Sequence, residues 1–172
     1  MTDWFDGVDC GVGDLLEYSC PMLSSIYRYR WISETLVTGG QPTREQFASV
    51  REAGIEVVIN LALPTSDNAL PDEGALVTGL GMVYIQIPVN FEAPRTRDFE
   101  AFCGVMRGLE GRRKLVHCAA NMRVSTFVYL YRVLCEGVPV SMAEEDLLAI
   151  WKPEGVWEKF VDEQLRRGGR NE

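Results

Sequence analysis

The chain has 172 residues, 47% of them apolar, and 25 acids against 17 bases leave a net charge of −8. That is one domain's worth of sequence with ample material for a buried core, and its acidity argues against a broad footprint for nucleic-acid phosphates. Five cysteines without a C-x-x-C pair and a single histidine, His117, argue against a disulfide scaffold or a structural zinc site.

The first twenty residues carry Asp3, Asp6, Asp9, Asp14 and Glu17 and no base, whereas a secretory or transit peptide needs early positive charge. The longest uncharged stretch, Gly74 to Phe91, is broken by Gly79, Gly81, Gln86 and Pro88, so no membrane span is expected. The expectation is a soluble cytoplasmic protein with an acidic N-terminal extension over 1–25 and one domain over 26–172; the pattern says nothing of oligomeric state.

Tyr27 to Thr38 alternates Tyr27, Tyr29 and Trp31 against Arg28 and Arg30, which predicts a half-buried edge strand or hairpin with solvated arginines. The turn Gly39-Gly40-Gln41-Pro42 follows. Thr43 with Gln46 is a capping-box signature for a helix whose stripe is Phe47, Val50 and Ala53, stopped at Gly54. Ile55 to Leu61 is apolar and β-branched, as a strand covered on both faces would be. A weak helix over Asp72 to Leu80 leads into a second buried strand, Met82 to Ile87. Thr96 opens a helix carrying Phe99, Phe102, Met106 and Leu109, and Lys114 to His117 is the third buried strand. Val124 to Cys135 is apolar almost all round, which predicts a central helix with Val124, Phe127, Leu130, Val133 and Leu134 packed on the sheet. Ser141 with Glu144 reads as another capping box, and Pro153 as the start of a last helix with the stripe Val156, Trp157, Phe160, Val161 and Leu165. Strands alternating with helices give an α/β fold with a central, mostly parallel sheet flanked by helices.

Chemistry is expected between the third buried strand and the central helix, in His117-Cys118-Ala119-Ala120-Asn121-Met122-Arg123-Val124-Ser125. Backbone N–H groups at a helix start, with the positive end of the macrodipole, can hold a tetrahedral anion. The same field favours a thiolate at Cys118, and Arg123 can add a two-point contact to anion oxygens. The phosphate-binding residues are therefore Ala119, Ala120, Asn121, Met122 and Arg123, with His117 supporting the loop from below.

HCAANMRVS resembles the phosphate-binding loop of cysteine-dependent protein phosphatases, whose pattern is His-Cys, five residues, Arg, then Ser or Thr. From about Trp31 to Phe160 the chain is similar to a bacterial branch of dual-specificity-phosphatase-like proteins, with the TGGQPT turn, the VINL strand and the YIQIPVNFEAP segment in the same order. The resemblance implies a cysteine-dependent phosphatase-like fold, Cys118 as nucleophile, Arg123 as anion clamp, Ser125 as hydroxyl donor to the thiolate, and no metal or cofactor. It also implies a general acid on the loop around Ile87 to Pro94. The family's Asp is absent there, Asn90 has no useful proton, and Glu92 is the candidate, with Asp98 second.

One departure stands out: Arg123 follows Cys118 after four residues, not five. A one-position shift at a helix start turns a side chain by about 100° and moves its Cα by ~3.8 Å. Asn121 takes the place of the usual loop glycine, a mild exchange because Asn tolerates positive φ. Three functions fit. The first is a phosphatase acting on a phosphorylated protein or a small phosphomonoester, the apolar Ala119, Ala120 and Met122 disfavouring multiply charged inositol lipids. The second is a rhodanese-like sulfurtransferase, whose loop has the shorter spacing. The third is a non-catalytic phosphate-binding or interaction module. None of them calls for nucleic acid or a membrane as a partner.

Overall fold

A computed structural model describes residues 23–169. Five strands, β1 (Arg30–Ser33), β2 (Leu36–Gly39), β3 (Val57–Asn60), β4 (Val83–Gln86) and β5 (Lys114–His117), form one sheet in the order β1-β2-β5-β3-β4. Six helices accompany it: α1 (Gln46–Glu52), α2 (Glu73–Gly79), α3 (Thr96–Gly108), α4 (Met122–Leu134), α5 (Val140–Leu148) and α6 (Val156–Gly168). Only β1 runs antiparallel to its neighbour. The other four strands are parallel, in the register Gly39, His117, Asn60, Gln86 across their C-terminal ends.

Period-two alternation assigns the core to two faces. Val57, Ile59 and Val116 pack with α3, α4 and α6 through Phe99, Phe102, Phe127, Leu130, Trp157 and Phe160. Val58 and Leu115 point the other way, onto Phe47, Val50 and Val77 of α1 and α2. A strand sandwiched in this manner needs apolar residues at every position, which is why VVI reads as an unbroken run. Leu23 also belongs to the second face, at 2% exposed, so the packed domain reaches at least to this residue of the segment 1–25; the rest of the expected extension, up to residue 22, lies outside the described residues.

Helix α4 is the central element. Every residue from Arg123 to Tyr131 is buried, with Val124, Phe127 and Leu130 fully so and Val133 and Leu134 partly. Leu130→Ala should therefore cost about 2 to 5 kcal/mol, through lost burial and the cavity left behind. Urea unfolding checks it, and a change within about 0.5 kcal/mol would mark α4 as a surface helix.

The structure corrects several boundaries. α4 begins at Met122, two residues earlier than expected, because Asn121 already makes the turn. The Ser141–Glu144 box does not form: α5 starts at Val140 behind Pro139, whose φ of −53° is preset for the role. Pro153 lies ahead of α6, which starts after Gly155 at φ +60°. β4 is not buried on both faces; it is the sheet's edge, with Val83 and Gln86 exposed. In the hairpin Trp31 is 43% exposed, while Arg30 is no solvated arginine but pairs with Asp146 of α5 at 2.7 Å. The Thr43–Gln46 box does form: Thr43 N–H donates to Gln46 Oε1 at 2.9 Å, and Gln46 N–H to Thr43 Oγ1 at 3.3 Å.

Candidate active site

β5 lies between β2 and β3, so the chain leaves the sheet's centre with the ends of three parallel strands around it, the position where open α/β sheets bind ligands. Cys118 N–H donates to Gly39 O at 3.3 Å, and Leu61 N–H to His117 O at 2.9 Å. The turn into α4 is made at Asn121, at φ +60°. Its buried Nδ2 donates to Arg28 O at 2.7 Å and Thr38 Oγ1 at 3.0 Å, so here the side chain that replaces the loop glycine also ties the loop to its neighbours.

The loop's carbonyls are held from outside. Ala119 O accepts from Gln41 N–H at 3.2 Å and from Asn68 Nδ2 at 3.0 Å. In a trans peptide N–H and C=O point oppositely, so the Ala120 N–H faces away from those donors. The backbone N–H groups of Ala119, Ala120, Met122, Arg123 and Val124 donate to no described residue. They lie at the α4 N-terminus, where unpaired backbone donors and the positive end of the helix dipole meet, and Cys118, 1% exposed, immediately precedes them. Close approach explains Gly40: a Cβ there would lie 2.8 Å from the Tyr27 ring and 3.0 Å from Ala119 O. At the outer rim Arg28 adopts φ +50° and its Nη1 sits 3.5 Å from Ala120 O.

Arg123, in the first turn of α4, is 7% exposed. Its Nη1 donates to Leu61 O and to Val89 O, each at 3.2 Å, and its guanidinium lies 5.8 Å from the centre of the Phe91 ring. The arginine thus ties the end of β3 and the segment after β4 to the start of α4. Its Nε and Nη2 have no acceptor among the described residues.

Beneath the loop, His117 is fully buried with Nε2 2.8 Å from Glu73 Oε1. Asn60 Nδ2 donates to the same oxygen at 3.0 Å, and Gln41 Nε2 donates to the other. Burial alone would raise the Glu73 pKa, but hydrogen bonds from His117, Gln41 and Tyr84 outweigh it and hold the carboxyl below its usual value. The Tyr84 hydroxyl, 3.1 Å from Asn60 Nδ2, is pushed up to about 12, first by burial and then by Glu73. Glu73, Gln41 and Asn60 were not foreseen in the sequence. The available signal was the polar residue closing each apolar strand, Asn60 after VVI and Gln41 after the two glycines; Glu73 looked like an ordinary acid in a helix's first turn.

Glu73→Ala would leave His117 Nε2 without a partner, while Asn60 Nδ2 keeps Tyr84 Oη and Gln41 Nε2 keeps Pro42 O, costing about 1 to 3 kcal/mol for the one orphaned buried group. Because the folded pKa is depressed, this stabilisation is complete above the unfolded value and is lost as pH falls through the folded one. The gap between wild type and variant in urea unfolding should therefore narrow from neutral pH toward pH 3; a pH-independent gap would contradict the charged hub.

The remaining candidates fall in different places. Ser125 Oγ–H donates to Met122 O at 3.1 Å, not to Cys118, and Thr126 Oγ1 and Trp151 Nε1 donate to the same carbonyl, each at 3.0 Å. Glu92 is exposed on the segment after β4, its N–H bonded to Asn90 Oδ1 at 2.9 Å. That segment is joined to the loop through Val89, Phe91 and Arg123, so Glu92 belongs to the same end of the sheet. Asp98 is in the first turn of α3 and pairs with Arg97 at 3.6 Å. Among the described residues no helix is long and apolar enough to cross a membrane.

The sequence pattern of a family described as a DSP-PTPase phosphatase fused to NAD+ kinase matches residues 30–161. The chain belongs to that family. A DUF442 protein from Shewanella putrefaciens CN-32, solved at 1.40 Å, is similar at 35% identity and a TM-score of 0.78, over 87% of this chain and 98% of its own. Two more distant structures share the fold. TpbA from P. aeruginosa, solved with phosphotyrosine, is 16% identical with a TM-score of 0.58, over 70% of this chain and 71% of its own. PTPMT1, solved with PI(5)P, is 15% identical with a TM-score of 0.67, over 83% and 97%. Among curated proteins nothing matches this chain. This DSP-PTPase member therefore has the cysteine-dependent phosphatase fold with the Cys-x4-Arg spacing described above.

Proposed function

We propose that this DSP-PTPase member is a cysteine-dependent phosphomonoesterase. The observation that carries the reading is the set of unpaired amides of Ala119, Ala120, Met122, Arg123 and Val124, which follow Cys118 at the α4 N-terminus. In the first step the Cys118 thiolate attacks phosphorus, a P–S bond forms, and the P–O bond to the leaving group breaks as that oxygen takes a proton from Glu92. Loop amides and the free donors of Arg123 stabilise the equatorial oxygens. Water, giving a proton back to the Glu92 carboxylate, then attacks the phosphocysteine; the new P–O bond forms as the P–S bond breaks, releasing inorganic phosphate and restoring the thiolate.

The scheme assigns Ser125 no step; in this structure its hydroxyl donates to Met122 O. His117 and Glu73 hold the loop's underside. The apolar side chains of Ala119, Ala120 and Met122 favour a phosphoprotein or small monoester over an inositol lipid. Phosphotyrosine, the ligand solved with TpbA, is the better guide to substrate than PI(5)P, the ligand solved with PTPMT1.

A second reading, a phosphate-binding module without turnover, is favoured by one observation: Arg123 Nη1 is tied to two carbonyls and is not free to follow the transition state. Turnover of a generic aryl phosphate, measured beside thiosulfate with cyanide and compared with Cys118→Ser, decides. Phosphate release that is lost in Cys118→Ser supports the phosphatase. Vanadate binding without turnover supports the module, and thiocyanate production a sulfurtransferase.

A further inference from the structure

Cys118 follows the last residue of β5, and the first residue of the same strand, ~13 Å away at ~3.3 Å per residue, is a lysine. Lys114 lies in register with Leu36 and Val57 and shares with Val116 the strand face turned toward α3 and α4. A strand covered on that face calls for an apolar residue, as at Leu36, Val57 and Val116. Here it carries an ammonium group instead. Lys114 is 4% exposed and has no hydrogen-bond or ion-pair partner among the described residues.

Space adjoins it. Lys114 lines a cavity of about 600 Å³, enclosed by the first residues of β5, the hairpin and the last turns of α3 and α4, a size that suits a small molecule. Leu36, Met106, Tyr131 and Val138 form apolar walls, and Arg107, Glu110 and Glu136 stand exposed at the rim. A buried ammonium without a partner is costly unless an anion joins it. Burial accordingly holds the Lys114 amine below its usual pKa, and Glu136, Glu56 and Glu110 offset only part of that.

The charges around the cavity narrow the ligand. Arg132, also in the lining, is taken up by Asp146. The two cations that remain, Lys114 and Arg107, are matched in number by Glu110 and Glu136, so a dianion such as phosphate would bring one charge too many past two carboxylates. An α-amino acid would set its own ammonium beside Lys114. One negative charge on an apolar body meets both the buried amine and the walls. We propose that Lys114 and the walls around it form a second binding site, separate from the phosphate loop, for a small apolar monocarboxylate: a short fatty or aryl-alkyl acid whose carboxylate pairs with the buried ammonium.

The test titrates phenylacetate, hexanoate, phenylacetamide and inorganic phosphate into the ¹⁵N-labelled full chain and follows the amide resonances of Leu36, Lys114 and Tyr131. Both carboxylates should shift these three with saturation. Phenylacetamide, close in shape but uncharged, should bind at least tenfold more weakly, and phosphate should leave the three unmoved. Lys114→Met, close in volume and without charge, should weaken carboxylate binding at least tenfold. The proposal is overturned by carboxylates that give no saturable shift at these amides or act only at Ala119 to Val124. Phenylacetamide binding as tightly as phenylacetate, or phosphate moving the same amides as strongly, overturns it too. So does a folded Lys114→Met that binds phenylacetate like wild type; the comparison of phenylacetate with phenylacetamide needs no variant and decides if that one does not fold.

Discussion

Arg123→Ala should lose stability and oxyanion affinity together. The substitution removes a guanidinium that satisfies Leu61 O and Val89 O and lies over Phe91. Val89 O left without a donor, Leu61 O reduced to its bond from Val89 N–H, and a lost cation–π contact amount to on the order of 2 kcal/mol. Removing one preorganised donor from a developing oxyanion typically costs about 10² to 10³ in turnover, and here the same side chain also holds the segment that bears Glu92. Arg123→Lys separates the two roles. An ammonium can reach one carbonyl and restore part of the stability, but it cannot hold a carbonyl and make a planar two-point contact with an anion at once. The urea midpoint should thus recover partly while vanadate affinity and aryl phosphate turnover stay low. An alanine variant that unfolds early yet binds vanadate and turns over like wild type would reduce Arg123 to a strut between strand ends.

The double duty of Arg123 also shows where sequence reasoning succeeds. The strands VVI and KLV, the apolar helix α4 and the loop between β5 and α4 are legible because each obeys a short-range rule: period two sandwiched by helices, an apolar circumference, a helix start after a buried strand. Asn121 was placed at the loop-glycine position by the resemblance, and there it takes a left-handed conformation, φ +60°. What was not legible depends on partners far away in the chain. Glu73 meets His117 across 44 positions and Gln41 across 32, and nothing in its own neighbourhood marks it as more than a helix-start acid. The commitment of Arg123 to Leu61 and Val89, and the pairing of Arg30 with Asp146 across 116 positions, follow from strand order, which local patterns do not encode. Ser125 illustrates the converse: its local option, a bond back to Met122 O, is the one the structure uses.

Inserting one residue between Met122 and Arg123 restores the five-residue spacing of the wider phosphatase pattern, and the expected result is loss, not rescue. If the short loop were merely a defect, the added residue would swing the arginine back toward the anion. The contacts argue otherwise. The turn is completed at Asn121, whose Nδ2 is fixed by Arg28 O and Thr38 Oγ1, and Met122 O already takes donors from Ser125, Thr126 and Trp151. With those anchors in place the insertion must either turn Arg123 by about 100° away from Leu61 O and Val89 O or push α4 along its axis by ~1.5 Å. The first outcome orphans the buried Val89 O and leaves Leu61 O with the Val89 N–H alone, and the second unseats a helix buried on nearly every side. A misplacement of ~1 Å at a catalytic group already costs on the order of 100-fold in rate, so the variant should fall at least that far below wild type in aryl phosphate turnover and also bind vanadate more weakly. Arg123 with its four-residue spacing is then one solution together with Leu61, Val89 and Phe91: the arginine sits one position early because that position reaches the two carbonyls joining the loop to the Glu92 segment. An insertion variant that gains turnover with an unchanged urea midpoint would reverse this reading and make the short loop a weakened copy of the longer one.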